Sequence, residues 1–160
     1  MKIRPLTRSD REPVLALLDS TEAFQPHEIA VALELMDVAL NKPGQQDYFP
    51  YVLEDGPTVM AYACFGKNPM TQSTYDLYWL ATRRQAMRKG YGRALFAFVE
   101  NEIRQRGGRL LVIETSSKES YQGTQSFYTQ VGCQFAAALP DFYDVGDDRV
   151  IYFKRLVETG

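Results

Sequence analysis

The sequence predicts a single α/β domain, residues 1–160. Its central sheet is mixed and mostly antiparallel, with about six to seven strands flanked by about four helices. Three observations lead there. The chain has 160 residues, most simply one domain with enough length for one substantial core. Residues 48–54, 59–65 and 75–82 are apolar or alternating runs separated by turn residues, the pattern of a strand meander. The third run passes through a glycine-containing loop into a helical pattern over 91–106, and then comes the strongly apolar run 110–115. A strand–helix–strand unit makes its two strands parallel.

The remaining elements follow in order. Residues 2–7 read as a short opening strand. Ser9-Asp10-Arg11-Glu12 matches a capping box, with Val14, Leu17 and Leu18 as the buried stripe of a first helix. Pro13 fits only near that helix's start. A second helix covers 26–41. Ile29, Leu33, Met36 and Leu40 mark one face, and Val31, Leu35 and Val38 another. A helix this broadly apolar is deeply buried or shared with a partner, so a homodimer is one expectation.

Residues 44–47 form a loop, Asp55-Gly56-Pro57 a turn, and 67–72, with Pro69, a second connection. In the third helix Tyr91, Ala94, Leu95, Phe98 and Ile103 share the core face, and Gly107-Gly108 ends it. Thr124, Phe127, Tyr128 and Val131 line a short fourth helix closed by Gly132. Residues 135–139 and 149–153 read as two more strands. The loop between them, 140–148, is rich in Asp and aromatics.

Composition narrows the function classes. Hydrophobic residues make up 45% and charged residues 24%, ordinary for a globular chain. A net charge of −2 argues against a general nucleic-acid binder. No apolar run is long enough to span a bilayer, and the N-terminus carries no signal-peptide core, so a cytoplasmic protein without membrane contact is expected. Cys64 and Cys133 form no Cys-x-x-Cys pair; two reduced structural thiols, and no metal, are the expectation.

The stretch from Arg83 to Leu95 carries the chemistry. Gly90-Tyr91-Gly92 opens the third helix, and Arg83, Arg84, Arg88, Lys89 and Arg93 surround it. Unpaired backbone N–H groups at a helix start, with the positive end of the helix dipole, suit a phosphate or pyrophosphate. Glycine lets the backbone approach such a group closely. The loop lacks the Gly-x-x-x-x-Gly-Lys-Ser/Thr of nucleoside-triphosphate sites. It also lacks the third glycine of the dinucleotide fingerprint, since Leu95 stands there.

Leu80-Ala81-Thr82 followed by Arg88-Lys89-Gly90-Tyr91-Gly92-Arg93-Ala94-Leu95 resembles the cofactor motif of the GNAT superfamily of acyl-CoA-dependent N-acyltransferases. That family's loop reads Gln/Arg-x-x-Gly-x-Gly/Ala, and Met87 stands where Gln or Arg is usual. Residues 124–135 resemble the family's tyrosine-bearing helix, which ends in Tyr-x-x-x-Gly-Phe. Here Cys133 replaces the aromatic, and Tyr121 stands where Asn is often seen. The resemblance covers roughly residues 76 to 135 and implies a GNAT-like domain.

Its implications are specific. Acetyl-CoA would be the cosubstrate, held by Leu80, Ala81, Thr82, Met87, Arg88, Lys89, Gly90, Tyr91, Gly92 and Arg93. A primary amine of a small molecule would attack directly in a ternary complex. Protein or peptide acetylation and a non-catalytic acyl-CoA binding module are the alternatives.

Acyl transfer from a thioester needs a grip on the phosphates, an uncharged amine and a proton for the leaving thiolate. Main-chain donors around Leu80 to Thr82 could polarise the thioester carbonyl. Asp76 enters the strand at the place where several members carry a general-base Glu, and burial among aromatics would raise its pKa. Glu114 is a second candidate. The resemblance places Tyr128 near the CoA sulfur as proton donor.

For the acceptor, the family's first helices border the pocket, which points to Phe24 and Glu28. The last connection points to Tyr143 and Asp144, where charge and an aromatic face would attract a cationic amine. His27, the lone histidine, has no partner carboxylate nearby in sequence and is not expected to be catalytic.

Overall fold

The computed structural model describes residues 1–157, so the end of the expected domain, 158–160, lies outside the described residues. The strands are β1 (Lys2–Pro5), β2 (Phe49–Asp55), β3 (Thr58–Lys67), β4 (Thr74–Thr82), β5 (Leu110–Ser116), β6 (Gln134–Asp144) and β7 (Asp147–Arg155). The helices are α1 (Arg11–Ser20), α2 (Pro26–Asn41), α3 (Tyr91–Gln105) and α4 (Gln122–Gln130). One sheet holds all seven strands in the order β1-β2-β3-β4-β5-β7-β6, and β4–β5 is its parallel pair. The architecture is the mixed, mostly antiparallel α/β domain that the sequence predicts.

Side chains alternate across the sheet, and each face has its own core. Ala61, Ala63 and Phe65 of β3 pack with Leu95, Phe96, Val99 and Ile103 of α3. Tyr62 and Cys64 of the same strand pack with Val14, Leu17 and Leu18 of α1 and with Ala32 and Met36 of α2. Burial on both faces explains why β3 reads as a nearly continuous apolar run.

Local details depart from expectation in four places. The N-terminal cap is built by Thr7 and not by Ser9: the Thr7 N–H and hydroxyl donate to the Asp10 carboxylate at 2.8 and 2.9 Å. Asp10 also accepts from Arg4 at 2.7 Å, so a 3₁₀ turn precedes α1. The stripe of α3 is wider than the sequence suggests. Phe96 and Val99 are buried as well, and Phe96 meets Phe127 of α4 with ring centroids 6.1 Å apart.

Residues 140–148 are not one loop but most of a hairpin. β6 continues to Asp144 and turns at Val145-Gly146, where Gly146 supplies a φ of 79°. Finally, α2 buries Ile29, Ala32 and Met36, while Val31, Leu35 and Val38 stay wholly or partly exposed. The second apolar face of α2 is therefore only partly covered among the described residues.

Gly66 on β3 faces the Asp47 carbonyl oxygen so closely that an added Cβ would collide with it, and Tyr78 stands 3.0 Å away on the same side. Gly66→Ala is therefore expected to lower stability by about 1–3 kcal/mol, read as a lower urea midpoint with unchanged slope. An unaltered midpoint would show that the 47–48 segment yields freely.

Candidate active site

β4 and β5 are paired only between Thr74–Leu77 and Leu110–Ile113, yet β4 runs on to Thr82 and β5 to Ser116. The two strands part beyond that point. A bulge in the β3–β4 ladder coincides with the parting: Phe65 pairs with Leu77 and Cys64 with Trp79, leaving Tyr78 extra. A bulge bends its strand and re-aims side chains. The β5-facing main chain of residues 78–82 thus has no strand partner and opens onto a gap in the sheet.

Two cavities meet at this gap. The larger, about 910 Å³, runs between the β4–α3 loop and α4. The smaller, about 440 Å³, lies on the side of α2 and the β6–β7 hairpin. Ala23, Phe24, Leu80, Thr124 and Tyr128 line both, so Leu80 and Tyr128 stand where one space becomes the other.

The larger cavity gathers Leu80, Ala81, Thr82, Met87, Arg88, Gly90, Tyr91, Gly92 and Arg93; of the expected cofactor residues only Lys89 does not line it. The β4–α3 loop is shaped by left-handed backbone at Arg88 (φ 65°) and Gly90 (φ 87°). Gly90 is the N-cap of α3, and no side chain caps that helix. Among the described residues, the N–H groups of residues 88–93 donate to no other protein group. Such a row of free donors at the start of a fifteen-residue helix is an anion-binding cradle. A Cβ on Gly92 would sit 3.2 Å from Thr82 Oγ1, so glycine lets the loop close against the end of β4.

The five cations divide by role. Arg83 donates to the Val59 carbonyl at 3.1 Å and Arg84 pairs with Glu22 at 2.6 Å. Arg88, Lys89 and Arg93 form no ion pair among the described residues, and Arg88 and Arg93 face the cavity.

The smaller cavity has the opposite character. Glu28, Glu114, Asp144 and Asp147 line it together with Phe24, Tyr78, Trp79, Tyr121 and Tyr143. All four expected acceptor residues, Phe24, Glu28, Tyr143 and Asp144, are among them. Glu28 has two structural bonds as well: it accepts from the Gln25 N–H at 3.0 Å, capping α2, and from the Tyr121 hydroxyl at 2.8 Å. Phe24 packs edge-on against Trp79 at 5.0 Å and Tyr121 at 6.0 Å. Asp147, buried on the cavity floor, accepts from the Ser116 hydroxyl and lies 3.5 Å from Lys118. Glu114 pairs with Arg149, which also stacks over Phe142 at 4.9 Å.

The two carboxylates suggested as bases are placed differently. Glu114 lines the smaller cavity; Asp76 lines neither. Asp76 is half-buried on the same sheet face and accepts from Asn68 Nδ2 at 3.1 Å. Burial, the largest influence, raises its pKa above the ordinary carboxylate value. The Asn68 bond opposes this, and the Glu114 charge adds to it. His27 lines the smaller cavity but is exposed, with no hydrogen bond among the described residues.

Tyr128 is buried, and its ring packs against Phe96, Phe127 and Tyr152. Burial holds its hydroxyl well above the usual phenol pKa, so it stays protonated at neutral pH. Among the described residues no hydrogen bond to that hydroxyl occurs, and Tyr128 lines both cavities. Cys64 and Cys133 are free, buried and outside both cavities. Burial pushes their thiols up to about 12 and about 11, where they are poor nucleophiles.

Asp147 belongs to the acidic segment 141–148 that the sequence also pointed to for a cationic acceptor, whereas Tyr78, Trp79, Ser116, Lys118 and Tyr121 were not singled out as site residues. The bulge re-aims Tyr78 and Trp79, and the end of β5 and the turn after it bring in Ser116, Lys118 and Tyr121. No metal-binding cluster of His, Cys, Asp and Glu occurs among the described residues.

Comparison with known proteins agrees with this geometry. The family described as Acetyltransferase (GNAT) family matches residues 15–133. A protein of Desulfovibrio desulfuricans, assigned in its structure to the GNAT family of acetyltransferases, is 37% identical with a TM-score of 0.93. That match covers 98% of this chain and 99% of the other. The ribosomal-protein-S18-alanine N-acetyltransferase of Escherichia coli has a TM-score of 0.78 at 19% identity, covering 99% and 96%. An aminoglycoside 6'-N-acetyltransferase complexed with coenzyme A has a TM-score of 0.75 at 15% identity, covering 100% and 99%. At such identities the last two share the fold alone. No curated protein matches the sequence.

The Asp76 environment gives a direct check. Its carboxyl should titrate, by carbon-detected NMR, above the ~3.9 of an ordinary Asp. Asn68→Ala should raise the midpoint further, because the lost hydrogen bond favours the charged form. A midpoint at or below the ordinary value would mean that water reaches the group freely.

Proposed function

The chain belongs to the GNAT acetyltransferase family, and we propose that it moves an acetyl group from acetyl-CoA to the primary amine of a compact, cationic small molecule. The observation that carries this reading is the meeting of two unlike cavities at Leu80 and Tyr128. The larger has an anion cradle at its mouth, suited to the CoA pyrophosphate. The smaller, acidic and aromatic, falls within the ~300–1,000 Å³ of small-molecule sites. A protonated amine is drawn there by charge and held against aromatic faces. The aminoglycoside enzyme of this fold is named for a small amine-bearing acceptor, and the ribosomal one for a protein. The acidic, aromatic lining and small-molecule size of the cavity favour the first class.

Acetyl-CoA lies with its pyrophosphate on the N–H groups of residues 88–93 and its thioester at the junction. Main-chain N–H groups in the unpaired part of β4, around Leu80, polarise the thioester carbonyl. The acceptor nitrogen attacks the carbonyl carbon directly, forming the C–N bond as the C–S bond breaks. Before that attack one proton of the bound ammonium passes to Glu114, directly or through water, with Asp76 as the second carboxylate on that face. The thiolate takes a proton from the Tyr128 hydroxyl, and the second proton lost by the nitrogen returns through water to that oxygen, leaving free CoA and the amide. Neither buried cysteine is needed, so there is no acyl-enzyme. Reaction among soluble metabolites also fits a cytoplasmic location.

Thiol release from acetyl-CoA across a panel of amines and peptides tests the assignment. Small polyamine or aminoglycoside-like cations should be turned over and neutral peptides should not. Glu114→Gln should lower kcat/KM by about 10²-fold or more, and Asp76→Asn by less. Tyr128→Phe should lower kcat while acetyl-CoA affinity is kept, whereas Gly92→Val should weaken that affinity. Turnover of peptides alone would overturn the acceptor class. Wild-type rates in both Glu114→Gln and Tyr128→Phe would return those side chains to structural roles.

A further inference from the structure

We propose that Tyr121 sets the choice of acceptor. By holding Glu28 in place it builds a subsite for a second ammonium group, so the preferred substrate is a diamine and not a monoamine. The inference rests on the acceptor class proposed above and narrows it.

The four carboxylates of the smaller cavity are held in different ways. Glu114 pairs with Arg149, and Asp147 has Lys118 at 3.5 Å, so a cation of the chain offsets each of these charges. Asp144 is exposed and accepts from the Val145 N–H beside it at 2.8 Å. Glu28 differs from all three. Its Oε1 accepts from the Gln25 N–H at 3.0 Å and its Oε2 from the Tyr121 hydroxyl at 2.8 Å. It makes no ion pair among the described residues. Both of its donors are neutral. They fix the carboxylate and favour its charged form, yet leave the charge itself unmatched. A carboxylate has about four acceptor positions, so each oxygen keeps room for a further donor.

Tyr121 is itself held firmly. It ends the short 3₁₀ turn before α4 and is buried. Its ring meets Phe24 edge-on with centroids 6.0 Å apart, and Phe24 meets Trp79 at 5.0 Å. Burial, the largest influence, and the bond to Glu28 hold its hydroxyl above the usual phenol range, so it remains a donor at neutral pH. Glu28, Tyr121, Phe24 and Trp79 all line the smaller cavity. A fixed carboxylate beside aromatic faces suits an alkylammonium group. Glu114 serves the reacting nitrogen in the mechanism above, whereas Glu28 stands on a different element, α2. A monoamine at Glu114 leaves the Glu28 charge unmatched, and a diamine pairs it. That difference is the source of the discrimination.

The test compares unbranched diamines, from ethylenediamine to cadaverine, with monoamines of matching length. Steady-state kinetics reads turnover, and calorimetry on the CoA-bound protein reads binding without turnover. The best diamine should exceed its matched monoamine by about tenfold or more in kcat/KM and in affinity. Tyr121→Phe keeps the ring against Phe24 and removes the hydroxyl. It should abolish most of that preference, with the loss in the diamine KM and not in kcat or in the KM for acetyl-CoA. Glu28→Gln, which can still cap α2, should do the same. The double variant should be no worse than Glu28→Gln alone, because both changes remove one contact. A preference that survives in Tyr121→Phe would overturn the inference and leave the acceptor class standing. A loss shared equally by monoamines and diamines would also overturn it, marking Tyr121 as structural. Failure of every amine to bind or react would overturn both readings.

Discussion

Everything in the site depends on how short the β4–β5 pairing is. Four residues of each strand are hydrogen-bonded in parallel, and then the bulge at Tyr78 turns β4 away. A fully zipped pair would close the sheet at Leu80 and separate the two cavities. Because the pair opens, the backbone beyond Leu77 keeps donors and acceptors that no strand uses. Such groups are costly when buried without a partner, so an acyl chain with a polar carbonyl is a fitting occupant of the gap.

The parted strands also separate charge. On one side, the start of α3, Arg88 and Arg93 offer a positive mouth to an anion. On the other, Glu28, Glu114, Asp144 and Asp147 offer a negative chamber to a cation, with Lys118 and Arg149 only partly offsetting them. On the proposed function, donor and acceptor would be drawn to opposite ends of one passage, with Tyr128, which lines both cavities, between them. Within the chamber the carboxylates are held by the fold: Glu28 by Tyr121 and the α2 cap, Asp147 by Ser116, Glu114 by Arg149. Fixed charges of this kind recognise a ligand without first having to reorganise.

Much of this was legible in the sequence. The glycine loop and the third helix were readable because Gly90, Gly92 and the cations mark a strand-to-helix handover chemically. The bounds of α2 followed from Pro26 and the apolar stripes. The fourth helix and Tyr128 stood out through the family pattern. Other features left no local mark. No Gly or Pro announces the bulge at Tyr78. The turn at Val145-Gly146 was hidden in a segment whose Asp residues resemble a solvated loop. That Glu114 faces the chamber depends on which sheet face receives α2. The Tyr121–Glu28 bond joins residues 93 positions apart, beyond the reach of any periodicity.

The central claim is that the two cavities are the donor and acceptor halves of one passage. An amide-resolved NMR titration with acetyl-CoA alone tests it most directly. The account predicts large shifts for residues 88–93 and around Leu80 and Tyr128, with residues lining only the acidic chamber, such as Tyr143 and Asp147, little changed. Shifts centred on the chamber, with the β4–α3 loop unmoved, would contradict it.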